Sequence, residues 1–208
     1  MSEPDWLTWA REAQAIAQSG LAYHASGYEH ERYIALQDLA ARMMAARSAG
    51  DPATIAGLFA AQSGYATPKV DVRGAAFRDG KILLVREIAD AGRWTLPGGW
   101  ADVGLTPAEN VAREMREESG FDVHVDRLVA VLDRTRQGHP PQPFAAYKCF
   151  FLCSIIGGAA GPSAETSEIG FFAEDAIPAD LSRDRVLPAQ IASMFAHWRD
   201  PARPTQFD

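Results

Sequence analysis

The chain has 208 residues, 47% of them hydrophobic and 23% charged. This suits a folded globular protein of one large domain, or of a core domain with a smaller unit attached, and excludes a mainly disordered, collagen-like or coiled-coil chain. Its 20 Lys and Arg against 27 Asp and Glu leave a formal charge of −7, a poor basis for broad binding of nucleic acid or anionic membrane, although a bound divalent cation would still admit a phosphate-bearing substrate.

The start, Met1-Ser2-Glu3-Pro4-Asp5, has neither the basic nor the apolar region of a signal peptide, and no run approaches the ~18 apolar residues of a membrane span. A cytoplasmic protein is expected. Trp6, Ala10, Ala13 and Ala17 recur at helical spacing and predict a first helix, with Gly20 as its stop. A second helix is predicted from Glu29 to Arg47, with Leu36, Leu39 and Met43 on one face. Asp51 followed by Pro52 is an N-cap with proline at the first helical position; Ile55, Leu58 and Phe59 give a third, short helix ended by Gly64.

After Pro68 the pattern changes. Val70 to Phe77 reads as a strand, Asp79-Gly80 as a hairpin turn, and Ile82 to Val85 as the returning strand. The division is therefore a helical extension over 1–66 and a mixed unit over 67–208. Further strands are predicted at Val123–Leu132, Phe144–Ile156 and Ile169–Ala173, loops at Gln137–Pro143 and Gly157–Glu165, and a last helix at Leu187–Trp198. Cys149 and Cys153 would lie on one face of the long strand, about 13 Å apart, too far for a disulfide. They read as buried thiols, as a cytosolic chain would have.

The segment with chemical content runs from Leu96-Pro97-Gly98-Gly99 through Thr106-Pro107 to Gly120-Phe121. Thr106 is an N-cap, Pro107 suits the first helical position, Glu109 completes a capping box and Gly120 is the C-terminal stop, which brackets a helix over Pro107–Ser119. Ala108, Val111, Ala112 and Met115 form its apolar stripe. Glu114, Glu117 and Glu118 cluster on another face, roughly 115° away by helix geometry. Three carboxylates this close repel unless cations neutralise them. Arg113 and Arg116 supply charge, and a hard divalent ion such as Mg²⁺ or Mn²⁺ takes oxygen ligands of this kind. The Gly98-Gly99 pair permits close backbone approach, so a carbonyl there could reach the same ion. Taken alone, Glu-x-x-Glu-Glu is equally a solvated helix face laced with Arg.

Residues 99–121 resemble the Nudix box, Gly-x5-Glu-x7-Arg-Glu-U-x-Glu-Glu-x-Gly-U, with U a bulky apolar residue. Gly99, Arg113, Glu114, Met115, Glu117, Glu118, Gly120 and Phe121 match, and Leu105 replaces the first Glu. The resemblance implies an α+β chain: the Nudix fold, an α/β/α sandwich with a mixed sheet, preceded by a small helical unit. It implies metal-dependent hydrolysis of a nucleoside diphosphate linked to a group X. By position Glu114, Glu117 and Glu118 correspond to the metal ligands and Arg113 to the arginine that orients a box glutamate, and the Gly99 carbonyl is the backbone group expected beside them. Leu105 puts the supporting role of the missing glutamate in doubt more than the activity. Many members recruit a further carboxylate from a loop outside the box, and Glu165, with Glu168 near it, stands where that group is expected. The implied chemistry is attack of a metal-activated water on phosphorus, its proton guided by a box carboxylate or by Glu165. No Walker loop is present.

The N-terminal segment from Trp6 to Tyr23, with Tyr28, Glu31, Arg32 and Tyr33, and the stretch Trp100–Leu105 resemble a bacterial Nudix subgroup that includes CDP-choline pyrophosphatase and ADP-ribose pyrophosphatases. CDP-choline is the first expected substrate and ADP-ribose the second, with trimming of RNA 3′ ends as another enzymatic reading and a nucleotide sensor without turnover as the non-enzymatic one. The helices are expected to serve as a dimerisation or lid element of a homodimer. Alternatively Tyr23, Tyr28, Arg32 or Tyr33 reach the substrate, since aromatic faces stack on bases and hold quaternary ammonium groups. Trp94 and Trp100 could wall the site or pack in the core. The five histidines show no ligand spacing; His139, in the Pro-rich loop, is the one to test.

Overall fold

The computed structural model describes residues 4–23, 26–48, 50–161 and 163–208, so His24 lies outside it. The chain forms two compact units, Met1–Lys69 with Pro141–Ala145, and Val70–Pro140 with Ala146–Asp208.

The first unit contains α1 (Asp5–Tyr23), α2 (Tyr28–Ala45) and α3 (Pro52–Ala60). Its core is Leu7, Ala10, Ala40, Ala41, Met44, Ile55 and Phe59, with Phe144 of the 141–145 segment packed against it. Gly20 does not stop α1, which runs on to Tyr23. A Cβ at Gly20 would overlap the Tyr33 ring, so the glycine serves close approach of α2. The buried face of α2 is Gln37, Ala40, Ala41 and Met44, one position round from the expected Leu36, Leu39 and Met43; Leu39 is 42% exposed. Two adjacent alanines let that face come closer to its neighbours than leucines would. In α3 the Asp51 carboxylate accepts the Thr54 N–H at 3.0 Å, and Phe59 rather than Leu58 fills the core.

The second unit is built on a mixed sheet. Its strands are β1 (Lys69–Arg78), β2 (Lys81–Glu87), β3 (Arg93–Thr95), β4 (Phe121–Asp133), β5 (Ala146–Gly158), β6 (Thr166–Phe172) and β7 (Gln206–Phe207). The order is β3-β2-β1-β5-β4-β7, with β6 also paired to β2. β2 runs antiparallel to β3 and β6, β4 antiparallel to β5, and β4 parallel to β7. Asp79 and Gly80 both have positive φ, 52° and 74°, as a two-residue hairpin turn requires.

Strand alternation sends side chains to two cores. Val72, Ala76, Leu83, Phe151 and Cys153 meet Val111 and Met115 of α4 (Pro107–Ser119) on one face. Ala75, Ile82, Leu84, Phe150 and Leu152 meet Ile191, Met194 and Phe195 of α5 (Pro188–Arg199) on the other. This is the α/β/α sandwich expected. Both cysteines sit on β5 as free thiols, and burial pushes the Cys153 thiol up to about 12, which makes it inert. Among the described residues no helix is long and apolar enough to cross a membrane.

Candidate active site

α4 is held at both ends as its sequence requires. The Thr106 hydroxyl accepts the Glu109 N–H at 3.2 Å and the Glu109 carboxylate accepts the Thr106 N–H at 2.7 Å. Gly120 closes the helix at φ 76°, and its N–H donates to the Arg116 carbonyl. The helix lies so close on β1 that a Cβ on Gly74 would fall 2.7 Å from the Met115 sulfur. Ala108 is exposed and does not share the buried stripe. Asn110 does, and its amide braces the loop before the helix: Oδ1 accepts the Asp102 N–H at 2.8 Å, while Nδ2 donates to the carbonyls of Asp102, Leu105 and Thr106.

The three box glutamates do not share one solvated face. Glu118 is 3% exposed, Glu114 half-buried and Glu117 exposed. The reason is helical periodicity: Glu118 stands three residues after Met115 and seven after Val111, so it extends the buried stripe. One Glu118 oxygen accepts the Gly98 N–H at 2.8 Å. Burial raises its carboxyl to about 7; the charges of Glu114 and Glu87 add to this, while the Arg73 guanidinium and the Gly98 N–H oppose it. Glu114 is raised too, first by burial, with Arg113 opposing and Glu117 and Glu165 adding.

Arg113 donates to Glu114 at 2.9 Å and to Asp102 at 2.7 Å, tying the helix to the loop. Arg116 turns to Asp122 instead. The Gly99 carbonyl accepts the Val72 N–H at 2.8 Å, which leaves its second lone pair open. A Cβ on Gly99 would stand 3.2 Å from a Glu114 oxygen, so glycine keeps space beside that carboxylate. Glu165 is exposed on the loop before β6, near enough for its charge to act on Glu114. Glu168 is engaged elsewhere, with Arg86 at 2.8 Å. Trp94 packs edge-on against Phe172, whereas Trp100 is 50% exposed. His139 is enclosed between the Arg183 carbonyl and Gln190, and is a structural group.

Sequence reading missed four charged residues of β1, β2 and β5: Asp71, Arg73, Glu87 and Lys148 are all buried. Arg73 and Lys148 both bind Asp71, which holds the Asp71 carboxyl at about 2 against its burial. Glu87 binds Arg185 through one oxygen, and its other oxygen has no hydrogen-bond partner among the described residues. The available signal was a charged residue inside an apolar strand, at Asp71, Arg73 and Lys148.

Among the described residues no three His, Cys, Asp or Glu side chains already converge as a cage for a metal. The donor set nevertheless fits a hard divalent cation. It is all oxygen, and the burial of Glu118 among like charges is the condition a cation relieves.

Family models match almost the whole chain: the NUDIX domain over residues 68–190, and a UDP-X-like N-terminal oligomerisation domain over residues 4–59. The chain belongs to the Nudix hydrolase family. YjhB of Bacillus subtilis (strain 168), whose name assigns it provisionally to the ADP-ribose pyrophosphatases, is 47% identical over 98% of this chain and 97% of its own. The crystal structure of a UDP-X diphosphatase is 33% identical, covers 100% of both chains and superposes with a TM-score of 0.62. That of an ADP-ribose pyrophosphatase from Streptococcus suis 89-1591 is 40% identical over 68% of this chain and 100% of its own, also with a TM-score of 0.62. This Nudix hydrolase is a pyrophosphohydrolase, acting on phosphoanhydride bonds. Members of its family generally require a divalent metal, and its N-terminal helices are of an oligomerising type.

Proposed function

We propose that the enzyme hydrolyses a nucleoside diphosphate linked to a group X, giving a nucleoside monophosphate and phospho-X, with ADP-ribose as its first substrate and Mg²⁺ as its metal. The observation that carries this reading is the placement of Glu118: buried, oriented by the Gly98 N–H, and neighboured by Glu114. The names of the relatives favour ADP-ribose over the other members of the class.

Glu114, Glu117 and Glu118 would hold the ion, with the Gly99 carbonyl as a backbone ligand. Bound there, a divalent cation supplies Lewis-acid polarisation of the diphosphate and lowers the pKa of a water. The chain's own residues do the rest. Arg113 keeps the Glu114 carboxylate turned inward and offsets its charge. Glu165, exposed on its loop, accepts the proton of the attacking water, a task for which a box carboxylate is the alternative. Gly98 donates to Glu118 and so keeps one of its oxygens fixed.

CDP-choline, first in the reading of the sequence, becomes the second substrate. It rests on the likeness of the N-terminal segment and of Trp100–Leu105 to the subgroup that includes CDP-choline pyrophosphatase. Residues 1–66 are read as the associating extension of a homodimer and 67–208 as the hydrolase. Trp9, Ile16 and Tyr23, seven residues apart on α1 and 58%, 58% and 63% exposed, form the stripe that pairs.

The test is product analysis on ADP-ribose, CDP-choline, a UDP-linked sugar and a short RNA, each with Mg²⁺, with Mn²⁺ and with chelator. Turnover of ADP-ribose only with metal is the expected result. Turnover of CDP-choline alone would reverse the order of substrates, and shortening of RNA alone would overturn the substrate class.

A further inference from the structure

Asp71, Arg73 and Lys148 form a charged cluster that the proposed chemistry leaves without a task. They are 5%, 2% and 1% exposed. Burying three charges is costly, and apolar residues of similar volume often serve stability as well or better. Stability therefore does not account for the cluster.

Its geometry leads to the turn that carries Gly98. Arg73 Nε and Nη2 donate to the two Asp71 oxygens at 2.9 and 2.7 Å, and Lys148 Nζ donates to one of them at 2.6 Å. With its fork clamped in this way, Arg73 directs Nη1 to the Leu96 carbonyl at 3.2 Å. From the same strand the Gly74 N–H donates to the Pro97 carbonyl at 2.9 Å and the Val72 N–H to the Gly99 carbonyl at 2.8 Å. Gly98 lies between these anchored carbonyls, and its own N–H is the group that holds Glu118. Charge runs the same way. One carboxylate against two cations leaves the cluster net positive, and Glu118 and Glu87 are the carboxylates that act on Arg73 from outside it.

We infer that Arg73 is a positioning residue for hydrolysis: locked by Asp71 and Lys148, it sets the Leu96–Gly98 turn so that the Gly98 N–H presents Glu118 to the metal. The inference rests on the assignment of Glu118 to the metal-binding carboxylates. An arginine is required because only a planar fork grips a carboxylate with two N–H groups while a third reaches a carbonyl.

The test uses the full chain and Arg73→Lys, which keeps the charge and loses the fork. Three readings are taken: the amide resonance of Gly98, Mn²⁺ binding by electron paramagnetic resonance, and kcat and KM separately. The expected result is an upfield shift of the Gly98 amide proton, Mn²⁺ affinity weakened about tenfold, as for other groups that orient a metal ligand, and kcat reduced by about the same factor with KM little changed. Lys148→Met, which leaves the Arg73 fork in place, should move the same readings by a smaller factor. A folded Arg73→Lys protein with the wild-type Gly98 resonance and wild-type Mn²⁺ affinity overturns the inference. If Arg73→Lys does not fold, Asp71→Asn, which weakens the clamp at constant shape, is judged by the same two readings. Should Glu118→Gln keep full turnover, the assignment of Glu118 fails, while the Gly98 resonance still reports whether Arg73 sets the turn.

Discussion

Gly98 and Glu118 stand 20 residues apart in the chain, and the Gly98 N–H donates to the Glu118 carboxylate at 2.8 Å. The bond joins the first glycine of the Gly-Gly turn to the last turn of α4, and between them lie the loop and helix of the Nudix box. It can form because Gly98 adopts φ 141° and because a Cβ there would overlap the Val72 carbonyl oxygen. A side chain at this position would push the turn off β1 and carry the N–H away from Glu118.

Glu118→Gln should therefore lose turnover without losing the fold. The amide keeps the shape and an acceptor for the Gly98 N–H but carries no charge for a metal. We expect kcat to fall by about a hundredfold or more, a scale typical of a lost electrostatic group, with an unchanged circular dichroism spectrum. Turnover within a factor of about two of wild type would remove Glu118 from the site.

Asn110→Ala should destabilise the hydrolase unit. Asn110 is fully buried, and its amide serves four backbone groups of the loop from Asp102 to Thr106. Left without it, those groups lose their partners, at a cost of about 2–4 kcal/mol. The urea midpoint is the measurement. Activity should drop as well, because Asp102 anchors Arg113 from the same loop.

Stability should fall in mild acid through His139. Burial lowers its pKa from 6.5 to about 4, so between these values the unfolded chain binds a proton that the folded chain refuses. Stability is then fully present above pH 6.5 and is lost progressively as pH falls toward 4, by about 3 kcal/mol at full extent. His139→Asn should flatten the urea midpoint across this window. An unchanged slope would assign the loss to other groups.

Ile16→Lys should dissociate the proposed homodimer. Ile16 lies in the middle of the exposed stripe of Trp9, Ile16 and Tyr23 and contributes nothing to the core of its own unit. A charge at the centre of a paired apolar face weakens association by about tenfold or more. Light scattering on eluted protein checks it: a halved mass is expected, and an unchanged mass places the interface on another face.

Much of this was legible in the sequence because it is local. Thr106, Pro107, Glu109 and Gly120 bracket α4 by backbone rules that need no partner. Asp79-Gly80 specifies its turn, and Asp51-Pro52 its helix start, for the same reason. Two of the strands were not legible. β3 has three residues and β7 two, too few for any periodicity, and each exists only because a neighbouring strand offers it hydrogen bonds.

By itself, then, the sequence determined the helix that carries Glu114, Glu117 and Glu118, the caps that end it, the glycines ahead of it and the family those residues mark. Tertiary structure decided how deeply each of the three glutamates is buried. Periodicity sets Glu118 in line with Val111 and Met115, but only the packing of that stripe on the sheet buries it while Glu117 stays exposed. The same holds for Lys148, which is distant in the chain from Asp71 and Arg73 and meets Asp71 because β1 neighbours β5. Propensity and capping act over a few residues; burial and charge pairing depend on which strands become neighbours, and that is settled only when the sheet forms.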